Sequence, residues 1–204
     1  MAATEEYVNK AKAELNDLVE AGVVMAGNAF SQVLLLKGEP EEAAGDPAGS
    51  ATSGGAAGAA GDEPQGEASG KPTKLLAGPD GKALRAALGA LGYAPEDWAG
   101  LSTIDADGYA LAPGTLRLAI VTLDPSTVIA LDEPAAAALR EAYADELVDL
   151  EALDQATLQP GVLAQVLGMR VMNLGGFEQS LSDKRAKQLM WARLKRLPPL
   201  GEPY

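Results

Sequence analysis

The sequence predicts an α/β fold in which a central, mostly parallel sheet is flanked by helices in three layers. Short apolar runs, which are typical of buried strands, alternate along the chain with amphipathic stretches that are typical of helices. Each apolar run is nearly continuous, as expected for strands that are covered on both faces. The length of 204 residues suits one well-cored domain. We expect that domain over residues 31–197, after an N-terminal helix within 1–30 and before a tail at 198–204.

The first elements along the chain are a helix and a strand. Apolar residues recur at spacings of three and four between positions 4 and 20, which predicts an amphipathic helix. Thr4 is a suitable residue to cap its start, and Gly22 is suited to end it. The run QVLLL at 32–36 then predicts a buried strand that leads into a loop beginning at Lys37.

Residues 41–70 differ from the rest of the chain in composition. They consist of Gly, Ala, Ser, Thr, Glu, Asp, Pro and Gln, without one aromatic or branched aliphatic residue. Such a segment cannot bury enough apolar surface to offset an ordering cost of about 1–2 kcal/mol per residue. We expect a disordered insert that interrupts the domain.

The pattern resumes with a helix from about Gly81 to Gly92. Residues 115–123 are ambiguous, because their branched side chains favour a strand whereas the spacing of their apolar residues fits one face of a helix. The segment 126–131 (STVIAL) predicts a strand, and Asp132 after it predicts the N-cap of an alanine-rich helix.

Three further elements are expected before the C-terminus. A short helix is predicted at 162–167, and the run MRVMNL predicts a strand at 169–174. A closing helix follows, capped by Ser182 or Asp183 and continuing to Leu197. The alternation of strands and helices is typical of a parallel sheet.

The composition restricts the chemistry that the side chains can perform. The chain has no cysteine and no histidine, so it lacks disulfides, thiolates, the commonest transition-metal ligand and the commonest base near neutral pH. Carboxylates, hydroxyls, lysines and arginines remain, and we expect neither a metal nor a cofactor. Glu5 and Glu6 stand where a signal peptide would be basic, and no apolar stretch is long enough to span a membrane. These features predict a cytoplasmic protein without a membrane partner.

Charge is distributed unevenly along the chain. The formal net charge is −13, which argues against general binding to polyanions. From Val171 onward, however, the basic residues outnumber the acids Glu178, Asp183 and Glu202. This C-terminal segment is either a solvated helix face or an anion-binding surface that could face DNA. Its basic residues are Lys184, Arg185, Lys187, Arg193, Lys195 and Arg196.

Taken in order, several fragments resemble the uracil-DNA glycosylase superfamily, in particular its bacterial iron–sulfur branch. VLLLKGEP is similar to that branch's strand and Gly-Glu-Ala-Pro-Gly loop, with one residue missing. GKPTKLLAGPDGKALRAALGALGYAPEDW is similar to its Gly-Arg-Pro-Phe segment and the helix after it. STVIALDEPAAAAL matches a strand that enters an alanine-rich helix, and MRVMNLGGFEQSLSDKRAKQLMWARLKRL matches the closing strand, the His-Pro-Ser loop and the last helix. The resemblance implies that family's three-layer fold and favours a helix at 115–123.

The resemblance also assigns positions in the first half of the chain. Gly38, Glu39 and Pro40 stand in the loop after the first strand, and Glu39 corresponds to the catalytic acid that activates water. The phenylalanine that stacks on the flipped uracil corresponds to Thr73. The asparagine that reads the uracil edge falls near Thr103, where no asparagine occurs. The cysteines that bind the iron–sulfur cluster are also absent.

In the second half of the chain, Gly176, Phe177 and Glu178 replace the family's His-Pro-Ser motif. Glycine has no side chain with which to stabilise the charge that develops on uracil. Leu181 stands where the family inserts a leucine into the DNA stack, although a packing residue at a helix entry is an equal alternative. The residues that could face DNA are Leu181, which the resemblance indicates, and Lys184, Arg185 and Lys187, which the basic charge of the C-terminal segment indicates.

These departures predict a catalytically degenerate, uracil-DNA-glycosylase-like protein with a non-enzymatic binding role that could be linked to DNA repair. A first alternative is a divergent glycosylase that uses Glu39 together with backbone donors. A second alternative is a protein-interaction module whose acidic insert and acidic body engage a basic partner.

Overall fold

The computed structural model describes residues 2–38, 75–197 and Pro199, with side chains from Lys10 onward. The predictions made for Glu39, Pro40 and Thr73, and for the segment 41–70, lie outside these residues. Over this part of the chain no helix is both long and apolar enough to cross a bilayer. The elements follow in the order α1 (Ala2–Glu20), β1 (Met25–Gly27), β2 (Val33–Lys37), α2 (Pro79–Ala90), β3 (Ala99–Ser102), α3 (Pro113–Leu123), β4 (Thr127–Ala130), α4 (Glu133–Ala142), α5 (Ala144–Val148), α6 (Leu153–Ala156), β5 (Leu163–Val166), β6 (Met169–Asn173), α7 (Phe177–Ser180) and α8 (Lys184–Leu194).

The described strands form one sheet in the order β1-β3-β2-β4-β6-β5. The four central strands, β3, β2, β4 and β6, are parallel to one another. The edge strands β1 and β5 run antiparallel to their neighbours. The predicted fold class, an α/β fold with a mostly parallel sheet flanked by helices, is therefore confirmed.

Each face of the sheet is covered by its own helices, because alternate side chains of a strand point to opposite faces. Leu34 and Leu36 of β2 pack with α1, α3, α4 and α5, whereas Val33 and Leu35 pack with α2, α7 and α8. All four of these side chains are buried. Burial on both faces accounts for the continuous apolar run that identifies β2 in the sequence.

The ambiguous segment 115–123 lies in helix α3. Its buried residues are Leu116, Ala119, Ile120 and Leu123, which form the helical face that the spacing indicates. Pro113 opens the helix, where a missing N–H costs nothing.

The prediction of a short helix at 162–167 is wrong. These residues contain β5, which pairs with β6 through the two-residue turn Leu167–Gly168. Both turn residues have positive φ, 49° and 86°, as a type I′ hairpin turn requires. A leucine in that conformation is uncommon, so the turn was not recognisable from the usual Asn-Gly or Asp-Gly pattern.

Two helix boundaries also differ from those predicted. Helix α1 begins at Ala2, so Thr4 lies within the helix and does not cap it. Helix α8 ends at Leu194 rather than Leu197. At its start, Asp183 is the cap and accepts a hydrogen bond from the backbone N–H of Ala186, whereas the Ser182 hydroxyl donates to the preceding turn.

Candidate functional site

The elements that follow β2 and β4 cover opposite faces of the sheet. Helix α2, the next described element after β2, packs on one face, and α4, which follows β4, packs on the other. In open α/β sheets, a crevice forms beyond the carboxyl ends of two neighbouring strands whose connections diverge in this way, and ligands bind there. The candidate site therefore lies after Lys37 and Ala130, the last residues of these two strands.

Lys37 fills the centre of this crevice. Its side chain is only 3% exposed. Its Nζ donates to Asp80 Oδ2 at 2.8 Å and to Glu178 Oε2 at 3.0 Å. Asp80 lies in the first turn of α2 and Glu178 in the first turn of α7, where a carboxylate is favoured by the helix dipole. We call Lys37, Asp80 and Glu178 the ion cluster; it joins β2 to α2 and α7.

Lys37 keeps its proton within the ion cluster. Burial by itself lowers the pKa of the ammonium group, because a charge is poorly solvated in the interior. The hydrogen bonds and the negative charges of Asp80 and Glu178 outweigh burial, so the pKa of Lys37 is raised above its ordinary value. A lysine that acts as a base or nucleophile needs a lowered pKa. The geometry is that of a structural cation.

Asp132 closes the crevice from the side of β4. Both of its carboxylate oxygens accept from the backbone N–H of Gly38 at 3.0 Å, and Oδ1 also accepts from the N–H of Ala135 at 2.8 Å. The side chain of Asp132 thus caps α4, as the sequence predicts, and also holds Gly38, directly after β2, against the start of α4. A Cβ atom on Gly38 would lie 2.7 Å from the carbonyl carbon of Pro134, so this close approach requires glycine.

The turn after β6 completes the site. Gly176 has a φ of +106°, which favours glycine, and Phe177 is buried. The backbone N–H groups of both residues donate to the carbonyl oxygen of Leu131, at 3.1 and 2.8 Å. These donors are therefore engaged within the protein, and the alternative that backbone groups replace the missing histidine gains no support here.

Little free volume remains between these groups. The cavity enclosed by the ion cluster, Asp132 and Phe177 measures about 10 Å³. That is roughly the space that one water molecule needs, and a nucleobase cannot enter it. Gly38 and Gly176, where these two loops begin, do lie at the same site, and that site is filled.

Of the residues predicted for the site, the structure brings Gly38, Gly176, Phe177 and Glu178 together around Lys37. Thr103 follows β3, and its backbone N–H donates to the carbonyl of Lys37 at 2.9 Å. Its side chain lines a different, larger cavity on the α3–α4 face. The positions Glu39, Pro40 and Thr73 lie outside the described residues.

The sequence predictions missed Lys37 and Asp80 as members of the site. A lysine directly after an apolar strand usually reaches solvent, and an aspartate in a Pro-Asp-Gly segment usually belongs to a turn. The one available signal was the place of Lys37 at the carboxyl end of a predicted parallel strand. Its partners lie 43 and 141 positions away in the sequence, so no local pattern connects them.

A second feature is the outward face of α8, which we call the α8 surface. Trp191 is 36% exposed there, and Lys195 Nζ lies 5.9 Å from the centroid of its ring. Leu181, Lys187 and Trp191 also line an apolar cleft of about 130 Å³. No acidic residue occurs between positions 184 and 197. The exposed basic residues of the α8 surface are Lys184, Arg185, Lys187, Lys195 and Arg196.

No known family model matches this sequence, and no curated protein matches it significantly. The resemblance to uracil-DNA glycosylases therefore rests only on the order of the sequence fragments described above, and it stays a prediction. Within the described residues, no three carboxylates gather into a group that could hold a metal ion.

Proposed function

We propose that this chain is a catalytically degenerate protein on a uracil-DNA-glycosylase-like scaffold that binds single-stranded nucleic acid through the α8 surface. The observation that carries the proposal is the charge of α8. An exposed, basic and acid-free helix stands out on a chain whose net charge is −13.

The filled crevice supports the absence of base excision. A glycosylase must accept an extruded base in a pocket and stabilise charge on it. Here about 10 Å³ is free beside Lys37, and the N–H groups of Gly176 and Phe177 are bonded to Leu131. In this proposal, any role of the chain in DNA metabolism consists of binding nucleic acid and not of excising a base.

The arrangement of the α8 surface supports a single-stranded ligand. Lysines and arginines neutralise phosphates, and exposed aromatic rings stack on unpaired bases at about 1–3 kcal/mol per base. Trp191 supplies the ring, and Lys187 lies beside the same apolar cleft. Duplex DNA hides the faces of its bases, so Trp191 should contribute little to binding it.

The test is fluorescence anisotropy with a labelled single-stranded oligonucleotide at low salt. If the α8 surface neutralises about four phosphates, the slope of log Kd against log salt should be roughly 3. Replacing Lys184, Arg185 and Lys187 by Glu should weaken binding at least tenfold. The matched control is the triple variant Lys10→Glu, Lys12→Glu and Lys82→Glu, which replaces three other exposed lysines and changes the net charge by the same amount. Its affinity for the oligonucleotide should stay within about threefold of the wild-type value.

Trp191→Ala and Trp191→Phe separate stacking from charge. The alanine variant should lose about tenfold in affinity for the single strand and little for duplex, and phenylalanine should restore most of that loss. If both charge-reversed triple variants lose affinity equally, the nucleic-acid interface does not lie on the α8 surface. A wild-type protein that binds neither strand form would favour the protein-interaction alternative.

Base excision is measured on the same oligonucleotides with uracil in place of thymine. We expect no abasic-site formation above background, both for the wild type and for Glu39→Ala. Excision by the wild type that disappears in Glu39→Ala would establish a histidine-free glycosylase.

A further inference from the structure

A cavity of about 370 Å³ lies on the face of the sheet that is covered by α3 and α4, separated from the ion cluster by the bond between Gly38 and Asp132. Its size falls within the range of roughly 300–1,000 Å³ that is typical of sites for small molecules. Its floor is formed by Gly38 and Thr103, which follow β2 and β3. It therefore lies beyond the carboxyl ends of the parallel strands, where α/β proteins place their ligands.

The walls of the cavity are mostly apolar. Leu111 and Leu116 contribute branched side chains, and Pro134, Ala137 and Ala138 contribute small ones from α4. The residues that α4 contributes here are small apart from Glu141, which leaves room for a ligand. Apolar walls of this kind favour a hydrocarbon chain or an aromatic ring.

One polar side chain at the cavity is that of Thr103. Thr103 is 5% exposed. Its N–H donates to the carbonyl of Lys37, and its carbonyl accepts from the N–H of Leu111, so its backbone is satisfied. Within the described residues no hydrogen bond to its side-chain hydroxyl is found, and this hydroxyl is open to the cavity, since the buried side-chain atom without a partner is Tyr143 Oη. A ligand in the cavity would supply that partner.

One carboxylate at the edge of the cavity is unpaired. Glu141 lines the cavity and is exposed. Its neighbours in the sequence are engaged, since Arg140 pairs with Glu133, and no described cation lies within ion-pair distance of Glu141. On a chain with a net charge of −13, this acceptor favours a cationic group over an anionic one.

We propose that this cavity binds a small amphipathic amine. Its apolar ring or chain lies between α3 and α4, a hydroxyl or similar polar group pairs with Thr103 at the floor, and an ammonium group pairs with Glu141 at the mouth. The site is separate from the α8 surface, so it stands or falls independently of nucleic-acid binding.

Tyramine is a suitable probe because it carries a hydroxyl, a ring and an ammonium group, and two analogues each remove one of them. Binding is followed by ¹H–¹⁵N chemical shifts of the full chain. Tyramine should shift the amides of Gly108, Leu111 and Ala138 and leave that of Trp191 unchanged. Phenethylamine, without the hydroxyl, and 4-ethylphenol, without the ammonium group, should each bind about threefold to fivefold more weakly. Uracil, a neutral ring, should bind more weakly still.

Variants assign these losses to residues. Thr103→Val should lower tyramine affinity to that of phenethylamine and leave phenethylamine unaffected. Glu141→Gln should lower the affinity for tyramine to that for 4-ethylphenol and leave the affinity for 4-ethylphenol unaffected. Glu151 is an exposed carboxylate away from the cavity, so Glu151→Gln should change neither affinity. Ala138→Phe should fill the space and abolish binding, with its unchanged amide spectrum elsewhere showing that the fold is intact. Three results would overturn the proposal. One is the absence of localised shifts up to 10 mM tyramine, a concentration on the order of the weakest affinities expected for such small ligands. The others are tyramine binding that survives Ala138→Phe, and binding of 4-ethylphenol or uracil that is tighter than that of tyramine.

Discussion

The ion cluster gives the sharpest test of the idea that the crevice is structural. In Lys37→Met, the buried carboxylate of Asp80, 4% exposed, loses its ammonium partner. Removing one member of a buried ion pair typically costs about 3–5 kcal/mol, because a charge is left unsolvated. Glu178 is 54% exposed and can turn to water, so Glu178→Gln should cost less than about 1 kcal/mol.

The double variant Lys37→Met/Asp80→Asn separates charge from packing. Without either charge, the site holds a buried amide instead of a buried carboxylate, so the double variant should be more stable than Lys37→Met by at least about 2 kcal/mol. Urea unfolding followed by the fluorescence of Trp98 and Trp191 measures these differences. With a slope of about 2 kcal/mol per M, Lys37→Met should lower the midpoint by about 1.5–2.5 M.

The result that would refute this reasoning is a Lys37→Met variant as stable as Glu178→Gln. It would mean that Asp80 finds other partners or water, and that the crevice opens more readily than the 10 Å³ of free volume implies. A double variant no more stable than Lys37→Met would show that the loss comes from packing of the lysine stem, not from the stranded charge.

Three other predictions concern stability. The pKa of Lys37 is raised despite burial, and burial raises the pKa of Tyr93 and Tyr143, so all three groups hold their protons more tightly in the folded state. Their contribution to stability should be constant below about pH 10 and be lost as the pH rises above it, so the urea midpoint should fall there, and it should fall less steeply in Lys37→Met. The hydroxyl of Tyr143 is buried without a partner, so Tyr143→Phe should raise the thermal midpoint slightly, and a loss above about 1 kcal/mol would reveal a hidden bond. Gly38→Ala would collide with the first turn of α4 and should cost about 1–3 kcal/mol, whereas Gly89→Ala, with open space around it in α2, should stabilise by about 0.5–1 kcal/mol.

The parts of this fold that follow from local pattern are the parts that the sequence predicts. The buried run of β2, the apolar face of α2 and the cap at Asp132 each depend on neighbours within a few residues. Strand β5 does not, because it is only four residues long and its identity depends on pairing with β6 through a turn that lacks the usual residues. A spacing pattern over so short a segment fits a helix and a strand equally.

The candidate site was harder to predict for the same reason. Local pattern identified Asp132 as a helix cap but gave no sign that it also holds the loop at Gly38, 94 positions earlier in the chain. The burial of Lys37 depends on two carboxylates from separate helices. The resemblance of sequence fragments indicated Gly38 and Gly176 as parts of one site. Whether that site is an open pocket or a filled one depends on side chains that meet only in the folded protein.

The geometry around Gly176 bears on whether a histidine could act at this position. A histidine at this position would need a φ of +106°, which only glycine adopts readily, and its Cβ would lie 2.9 Å from Gln179 Oε1. The histidine side chain would not release the backbone N–H groups from Leu131 or separate Lys37 from Glu178, since neither contact involves a side chain at position 176. A histidine introduced at position 176 would therefore leave the crevice filled, since the ion cluster and the hydrogen bond from Gly38 to Asp132 would remain. Among the described residues, the larger cavity lies instead between α3 and α4, and exposed basic residues are concentrated on α8. We therefore expect selection for function to act on those two places, while substitutions in the crevice register mainly as losses of stability.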